Sequence, residues 1–202
     1  MKLVVATRNR HKVREIAVLL AEAGLDLEAV TIDEVAPEAE LLENEDTFEG
    51  NALAKARQAS VVCGMPAIAD DSGIEVDALG GAPGVRSARW AGEPCDDGRN
   101  NEKMLHEMAA VPAGKRTARY RCAAAFVDVA RNLEVVRSGA CEGVLLGEAR
   151  GSRGFGYDPL FFIPSLGRTM AEIDLAEKSR LSHRAVAFRA LAHVLREGPQ
   201  KK

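Results

Sequence analysis

The chain has 202 residues, 47% hydrophobic and 28% charged, with a net charge of −3. That is the range of an ordinary globular protein with room for one substantial core. The charge excludes a general nucleic-acid coat, which needs a basic excess, and no run of about 18 apolar residues is present to span a membrane. The opening residues turn polar at Thr7, too soon for a secretory leader. Cys63, Cys95, Cys122 and Cys141 therefore read as reduced structural thiols of a cytoplasmic protein. Neither they nor His11, His106, His183 and His193 show the spacing of a zinc site.

In chain order, Lys2 to Ala6 reads as a first strand, broken at Thr7-Arg8-Asn9-Arg10-His11-Lys12. An amphipathic helix follows, with Val13, Ile16, Ala17, Leu19, Leu20 and Ala23 at helical spacing and Gly24 at its end. The segment from Thr7 to Lys12 is thus a strand-to-helix turn. Its hydroxyl, amide and cations, with the free N–H groups of the helix, suit an anion; an ordinary polar junction has the same composition. Leu27 to Ile32 reads as a second strand, and Asp33 to Asp46 as an acidic loop. Asp46-Thr47-Phe48-Glu49 has the form of a capping box. It opens a helix expected to turn Phe48, Ala52, Leu53, Ala56, Ala59, Val62 and Cys63 inward. Asn51 and Lys55 share one face of that helix.

Ala67-Ile68-Ala69 reads as the end of a buried strand, followed by Asp70-Asp71-Ser72-Gly73. Successive strand residues face opposite ways, so only one of the two aspartates can look into a given cleft. The other must cap a turn, pair with a cation or face water. Buried carboxylates need a metal or cation; a polar strand-to-turn junction is the plainer reading. Asp97 to Ala110 is predicted helical, and Arg116 to Ala130 and Leu133 to Leu146 as two long strands joined at Arg131-Asn132. Gly151 to Phe162 sets glycines around Phe155 and Tyr157, which suits either a flat ligand or a strained aromatic turn. Asp174 and Ser182 read as caps of two final helices. His183 and Arg184 then occupy the first turn of the last helix, where positive charge is disfavoured unless an anion or acceptor lies nearby. These units suggest a mixed sheet in a single domain over the whole chain.

Four stretches together resemble one family: Thr7-x-Asn9-x-x-Lys12, Asn51-Ala52-x-x-Lys55-Ala56, the block from Asp70 to Gly92, and Gly154-Phe155-Gly156-Tyr157-Asp158 with Glu177-Lys178 and Ser182-His183-Arg184. It is the inosine triphosphate pyrophosphatase family, the non-standard purine NTP pyrophosphatases or XTP/dITP diphosphatases. The resemblance covers almost the whole chain, in order. It implies an α/β fold with a long curved mixed sheet flanked by helices, two lobes around a central substrate cleft, and a homodimer. It implies Mg²⁺-dependent hydrolysis of ITP, dITP or XTP between the α and β phosphates, giving the monophosphate and pyrophosphate.

Carried over residue by residue, Thr7, Asn9 and Lys12, within the turn that also holds Arg8, Arg10 and His11, match the triphosphate grip, and Lys55 the second phosphate-binding lysine. Asp71 matches the general base near the metal, Glu43 the metal ligand, and Ser72 a residue beside the substrate. Phe155, Gly156, Tyr157, Asp158, Lys178, His183 and Arg184 match the nucleobase pocket. The chain departs from the family in three places. Glu43-Asn44-Glu45-Asp46-Thr47-Phe48 replaces a frequent E-T-G-x-T-F, with Glu40 and Glu45 near Glu43. Gly50 stands where a glutamate is frequent, and Ala185 where a glycine is.

The chemistry suits the residues. A triphosphate needs several positive groups, and phosphoryl transfer is largely positioning and charge neutralisation. A carboxylate close to Mg²⁺ is a weak base unless it acts on a metal-acidified water. Lys178, Arg184 and a protonated His183 would donate to the 6-oxo group of hypoxanthine or xanthine and leave the amino group of adenine unpaired, a mismatch that can reach about 10⁴-fold in a buried pocket. A non-hydrolysing nucleotide sensor and a pyrophosphatase of broader base choice are the alternative readings.

Overall fold

The computed structural model describes residues 2–25 and 27–197. Its strands are β1 (Lys2–Val5), β2 (Glu28–Thr31), β3 (Ala67–Val76), β4 (Thr117–Asp128), β5 (Leu133–Leu145), β6 (Phe161–Ile163) and β7 (Arg168–Thr169). Its helices are α1 (Arg10–Glu22), α2 (Ile32–Val35), α3 (Phe48–Cys63), α4 (Asp97–Glu107), α5 (Leu175–Leu181) and α6 (His183–Glu197). The fold is mixed α/β, with one seven-stranded open sheet in the order β2-β1-β3-β4-β5-β6-β7. β1 runs parallel to both neighbours, with Val4 opposite Val30 on one side and Ala67 on the other. β5, β6 and β7 are antiparallel in turn. Parallel neighbours need helical crossovers, and α1 and α3 supply them.

The chain divides into two compact units. The first takes Met1–Asp71, Cys122–Gly139 and His183–Lys202. Its core joins Leu3, Val5, Ile68, Cys122, Ala124 and Phe126 of the strands to Ile16, Leu19 and Leu20 of α1 and to Ala185, Ala187, Phe188 and Leu191 of α6. Of the helical stripe expected on α1, Ile16, Leu19 and Leu20 are buried and Val13 and Ala23 half-buried, whereas Ala17 is exposed and Glu15 takes a buried place beside Ile16. α6 packs tightly here because β5 has no side chain at Gly139. A Cβ at that position would stand 2.5 Å from the Ala187 nitrogen and closer still to the His183 carbonyl.

The second unit takes Ser72–Arg121 and Ala140–Ser182. Ile74 and Val76 of β3, Met104 of α4, Tyr120 of β4, Leu145 of β5 and Phe161 and Ile163 of β6 form its core, together with Tyr157 and Leu160.

Four expectations are corrected. Asp70-Asp71-Ser72-Gly73 is not a turn: β3 continues through it to Val76. These residues are poor strand formers, and cations on both sides of the strand offset the cost. The cap of α3 is Thr47, whose side chain accepts from the Gly50 N–H, one residue later than predicted. Val62 is 59% exposed, because the buried stripe of α3 narrows to Ala59 and Ser60 before reaching it. Within the predicted acidic loop, Ile32–Val35 forms a short helix capped by Thr31.

Candidate active site

Asp70 is wholly buried, and its partners come from α1 and α6. Arg184 directs Nε (3.1 Å) and Nη2 (3.0 Å) to Asp70 Oδ2, and Lys12 Nζ lies 3.2 Å from the same oxygen. Nη1 of Arg184 donates to Glu15, a charged residue on the buried face of α1. The anion expected near the basic first turn of α6 is thus supplied by the protein itself. Burial works to raise the Asp70 pKa, but the charges of Lys12, Arg184 and Lys55 outweigh it and hold the carboxyl far below the usual carboxylate range. Burial opposes the Arg184 charge in turn, and Asp70 and Glu15 more than compensate, so its pKa moves up. Asp70 Oδ1 is buried without a hydrogen-bond partner among the described residues. Cys122 lies beside Asp70, and burial followed by that carboxylate pushes its thiol well up, leaving it un-ionised and unreactive.

Asp71, one residue on, is served by α3. The Asn51 amide donates to Asp71 Oδ2 at 3.0 Å, and Lys55 Nζ lies 3.6 Å from Oδ1. The same ammonium binds Glu43. Asn51 also fastens the acidic segment, accepting from the Glu45 N–H (3.0 Å) and donating to the Glu45 carbonyl (3.1 Å). Burial acts first on Asp71 and raises its pKa; the charges of Lys55 and Lys12 oppose this without cancelling it, and the net shift is upward. For Lys55, burial alone would lower the pKa, but Asp71, Glu43 and Asp70 reverse that, and the ammonium is held charged. Neighbouring carboxylates are thus driven apart, one fixed as an anion and the other made more basic. That split is how two chemically equal groups acquire different roles.

The turn before α1 is exposed from Arg8 to His11, with Lys12 half-buried. Asn9 caps α1, its side-chain oxygen accepting from the N–H groups of His11 (2.9 Å) and Lys12 (3.2 Å). Two of the N–H groups expected to be free for an anion are therefore taken. Arg8 turns to Asp33 and to the carbonyls of Pro37 and Ala39. His183, the first residue of α6, is buried.

In the second unit, Ser72 is half-buried in β3. Asp158 is buried and accepts from the Phe155 N–H (3.0 Å), the Tyr120 hydroxyl (3.1 Å) and Lys178 Nζ (2.7 Å). Lys178 Nζ stands 5.0 Å from the centre of the Phe155 ring, a cation–π distance. The loop turns tightly because Gly154 has φ +77° and a Cβ there would collide with the Asp158 carboxylate. Tyr157 is buried in the core and donates its hydroxyl to the Ser87 carbonyl at 2.8 Å. Burial, then the charge of Asp97, raises the pKa of that hydroxyl, so it stays a donor.

A sequence model of the Ham1 family matches residues 3–194. The chain belongs to the Ham1 family. It is 47% identical over 195 residues to a dITP/XTP pyrophosphatase of Desulforamulus reducens, covering 96% of each chain. It is 48% identical over 198 residues to a dITP/XTP pyrophosphatase of Escherichia coli K12, covering 98% of this chain and 99% of that one. Among solved structures, a HAM1 protein from Coxiella burnetii superposes with a TM-score of 0.87 at 37% identity, covering 98% of this chain and 100% of the other. The resemblance drawn from four motifs is met over nearly the full length.

Against the sequence reading of this Ham1 chain, the structure brings Lys12, Asp70 and Arg184 into one buried cluster and Glu43, Lys55 and Asp71 into another. It joins Phe155, Asp158 and Lys178 in a third. Glu40, the nearby alternative to Glu43, makes no ion pair with Lys55, and Glu45 contributes its backbone. Sequence reasoning missed Glu15. Its signal was a carboxylate set beside Ile16 within the apolar stripe of α1.

Proposed function

We propose that this Ham1 chain hydrolyses non-standard purine nucleoside triphosphates (dITP, ITP and XTP) to the nucleoside monophosphate and pyrophosphate, so removing deaminated purines from the nucleotide pool. The observation that carries the reading is the placement of the two aspartates of β3: Asp70 clamped by Arg184 and Lys12, and Asp71 set beside Asn51 and the ammonium of Lys55 that also binds Glu43. In this reading water attacks the α-phosphorus and gives its proton to Asp71. The bond from that phosphorus to the bridging oxygen breaks, and pyrophosphate leaves. Lys12, Lys55, Thr7 and Asn9 hold phosphate oxygens, with Arg10 and His11 in the same turn; Arg8, whose guanidinium is engaged by Asp33 and the Pro37 and Ala39 carbonyls, would serve by fixing that turn, and Ser72 lies beside the substrate.

Among the described residues, no three acidic, histidine or cysteine side chains form a ready-made metal cage. Mg²⁺ does not require one, because it keeps several waters and takes one or two carboxylates plus substrate phosphates. The donors here are oxygens, those of the two carboxylates on Lys55, and this pair fits the ion. Glu43 and Asp71 would hold it. When bound, it would neutralise phosphate charge and polarise a phosphoryl oxygen.

For the base, Lys178 offers its ammonium to the 6-oxo group beside the ring of Phe155, with Gly156, Tyr157 and Asp158 shaping the loop. His183 and Arg184 complete the donor set that the resemblance assigns. Three Arg184 nitrogens already face Asp70 and Glu15. The reading includes a cytoplasmic homodimer; no helix among the described residues is long and apolar enough to cross a membrane.

The test is incubation with dITP and Mg²⁺, product identification, and a comparison with ATP, GTP and dTTP. The expected result is equal dIMP and pyrophosphate, with dITP strongly preferred. Orthophosphate release would move the cut to the γ position and overturn the reading, and intact dITP would make the protein a sensor.

A further inference from the structure

The loop that carries Phe155 and Tyr157 turns at Gly156, whose φ is +61°. Nothing crowds this glycine: a Cβ would meet no atom within 4 Å. Its conformation is therefore not forced by neighbouring bulk. It is held through hydrogen bonds to α4. Asp97 Oδ2 accepts from the Gly156 N–H at 2.7 Å, and Asn101 Nδ2 donates to the Gly156 carbonyl at 2.9 Å. Asp97 and Asn101 are four residues apart and so lie on one face of the helix. Both polar groups of one residue are gripped by a single rigid element.

Asn101 serves this contact at some cost, since its Oδ1 is buried without a hydrogen-bond partner among the described residues. A buried orphan of this kind calls for a compensating role of the residue, and the bond to Gly156 supplies one. α4 is itself anchored beside the grip. Asn100 donates to the Ala88 carbonyl (2.8 Å) and accepts from the Ala91 N–H (2.7 Å). Lys103 covers the Trp90 ring at 4.4 Å.

The geometry points to Asp97 and Asn101 as positioning residues that set the base-recognition loop, and so purine affinity and choice, through Gly156. The inference rests on the reading of Phe155 and Lys178 as the base site. Fixing the peptides on either side of Gly156 fixes the Phe155 ring, and with it the ring face that Lys178 covers. Neither α4 residue needs to touch the substrate.

The test uses the full chain with Asp97→Ala, Asp97→Asn, Asn101→Ala and Asn101→Leu, measuring kcat and KM separately for dITP and dATP, with thermal melting alongside. Asp97→Ala and both Asn101 variants should raise KM for dITP by about tenfold, the scale of one lost hydrogen bond to a charged or buried group. They should narrow the preference for dITP over dATP and change kcat less. Asp97→Asn keeps an oxygen that can accept from the Gly156 N–H, and should restore most of the affinity. A purely structural role would lower the melting temperature while leaving KM and base preference as in the native protein, and that result overturns the inference. If Asp97→Ala does not fold, Asn101→Leu decides by the same criteria. Native protein that leaves dITP intact would instead sink the functional reading beneath it.

Discussion

Asp70 and Asp71 are consecutive in β3 and make their direct ion pairs with different cations. Asp70 Oδ2 meets Arg184 at 3.0 Å and Lys12 at 3.2 Å, while Asp71 meets Lys55 at 3.6 Å and Asn51 at 3.0 Å. The alternation of a strand separates the two side chains, and the helices on each side assign them their partners. One carboxylate anchors cations and the other is left more basic.

Asp71→Asn should leave the fold intact, since the change is nearly isosteric and Asn51 can still donate to the amide oxygen. Turnover of dITP should fall by about 10²–10⁴-fold, the range for a general base. Steady-state kinetics with a circular-dichroism melt checks both halves; full activity would remove Asp71 from that role.

Because burial raises the Asp71 pKa above its ordinary 3.8 in the metal-free protein, the acid limb of its titration without Mg²⁺ should lie above that value, and bound Mg²⁺ should lower it again. Lys55 opposes the shift. Lys55→Met should therefore move the limb to higher pH, in addition to weakening phosphate binding. The shape of the normalised pH profile reads this apart from the loss of affinity, and a limb that does not move would detach Lys55 from Asp71.

Asp70 carries the opposite sign. Its folded pKa is depressed, so between that value and the ordinary 3.8 the unfolded chain binds more protons. Its contribution to stability is present in full above the unfolded value and is lost as pH falls toward the folded one. Asp70→Asn should flatten that acid-side loss. At neutral pH it should cost about 3–5 kcal/mol, the scale for breaking a buried ion pair, because Arg184 and Lys12 lose their shared partner. Urea denaturation at several pH values measures both effects.

Gly139→Ala should destabilise the first unit by about 1–3 kcal/mol, the usual cost of overpacking, because the new methyl group would press on the first turn of α6 at His183 and Ala187. A lowered thermal midpoint checks it. Gly24→Ala is the control: a Cβ there meets nothing within 4 Å, and only its φ of +64° opposes the change.

Much of this was legible in the residues. The apolar spacing of α1 and the long alternation of β4 and β5 gave the mixed α/β class, and the motifs gave Lys12, Lys55 and Asp71. What stayed hidden depends on contacts distant in the chain. Glu15 and Arg184 are 169 positions apart, and neither says alone that it is buried with the other. β3 reads as ending at Ala69 because aspartate, serine and glycine are poor strand formers; the cations that meet Asp70 and Asp71 within it come from α1, α3 and α6, distant in the chain. β6 and β7 span three and two residues, too short for periodicity to register. Asp97 and Asn101 look like the solvated face of any amphipathic helix until Gly156 is seen against them.

Because both aspartates ride on an unbroken strand and not on a flexible loop, their spacing admits no adjustment. Deleting one residue between Ala67 and Ala69 would send every later side chain of β3 to the other side of the sheet. Asp71 would then be handed to the cations that now clamp Asp70. Drift in this protein can replace many surface residues, yet it cannot shorten this segment by one without exchanging the clamped carboxylate for its neighbour.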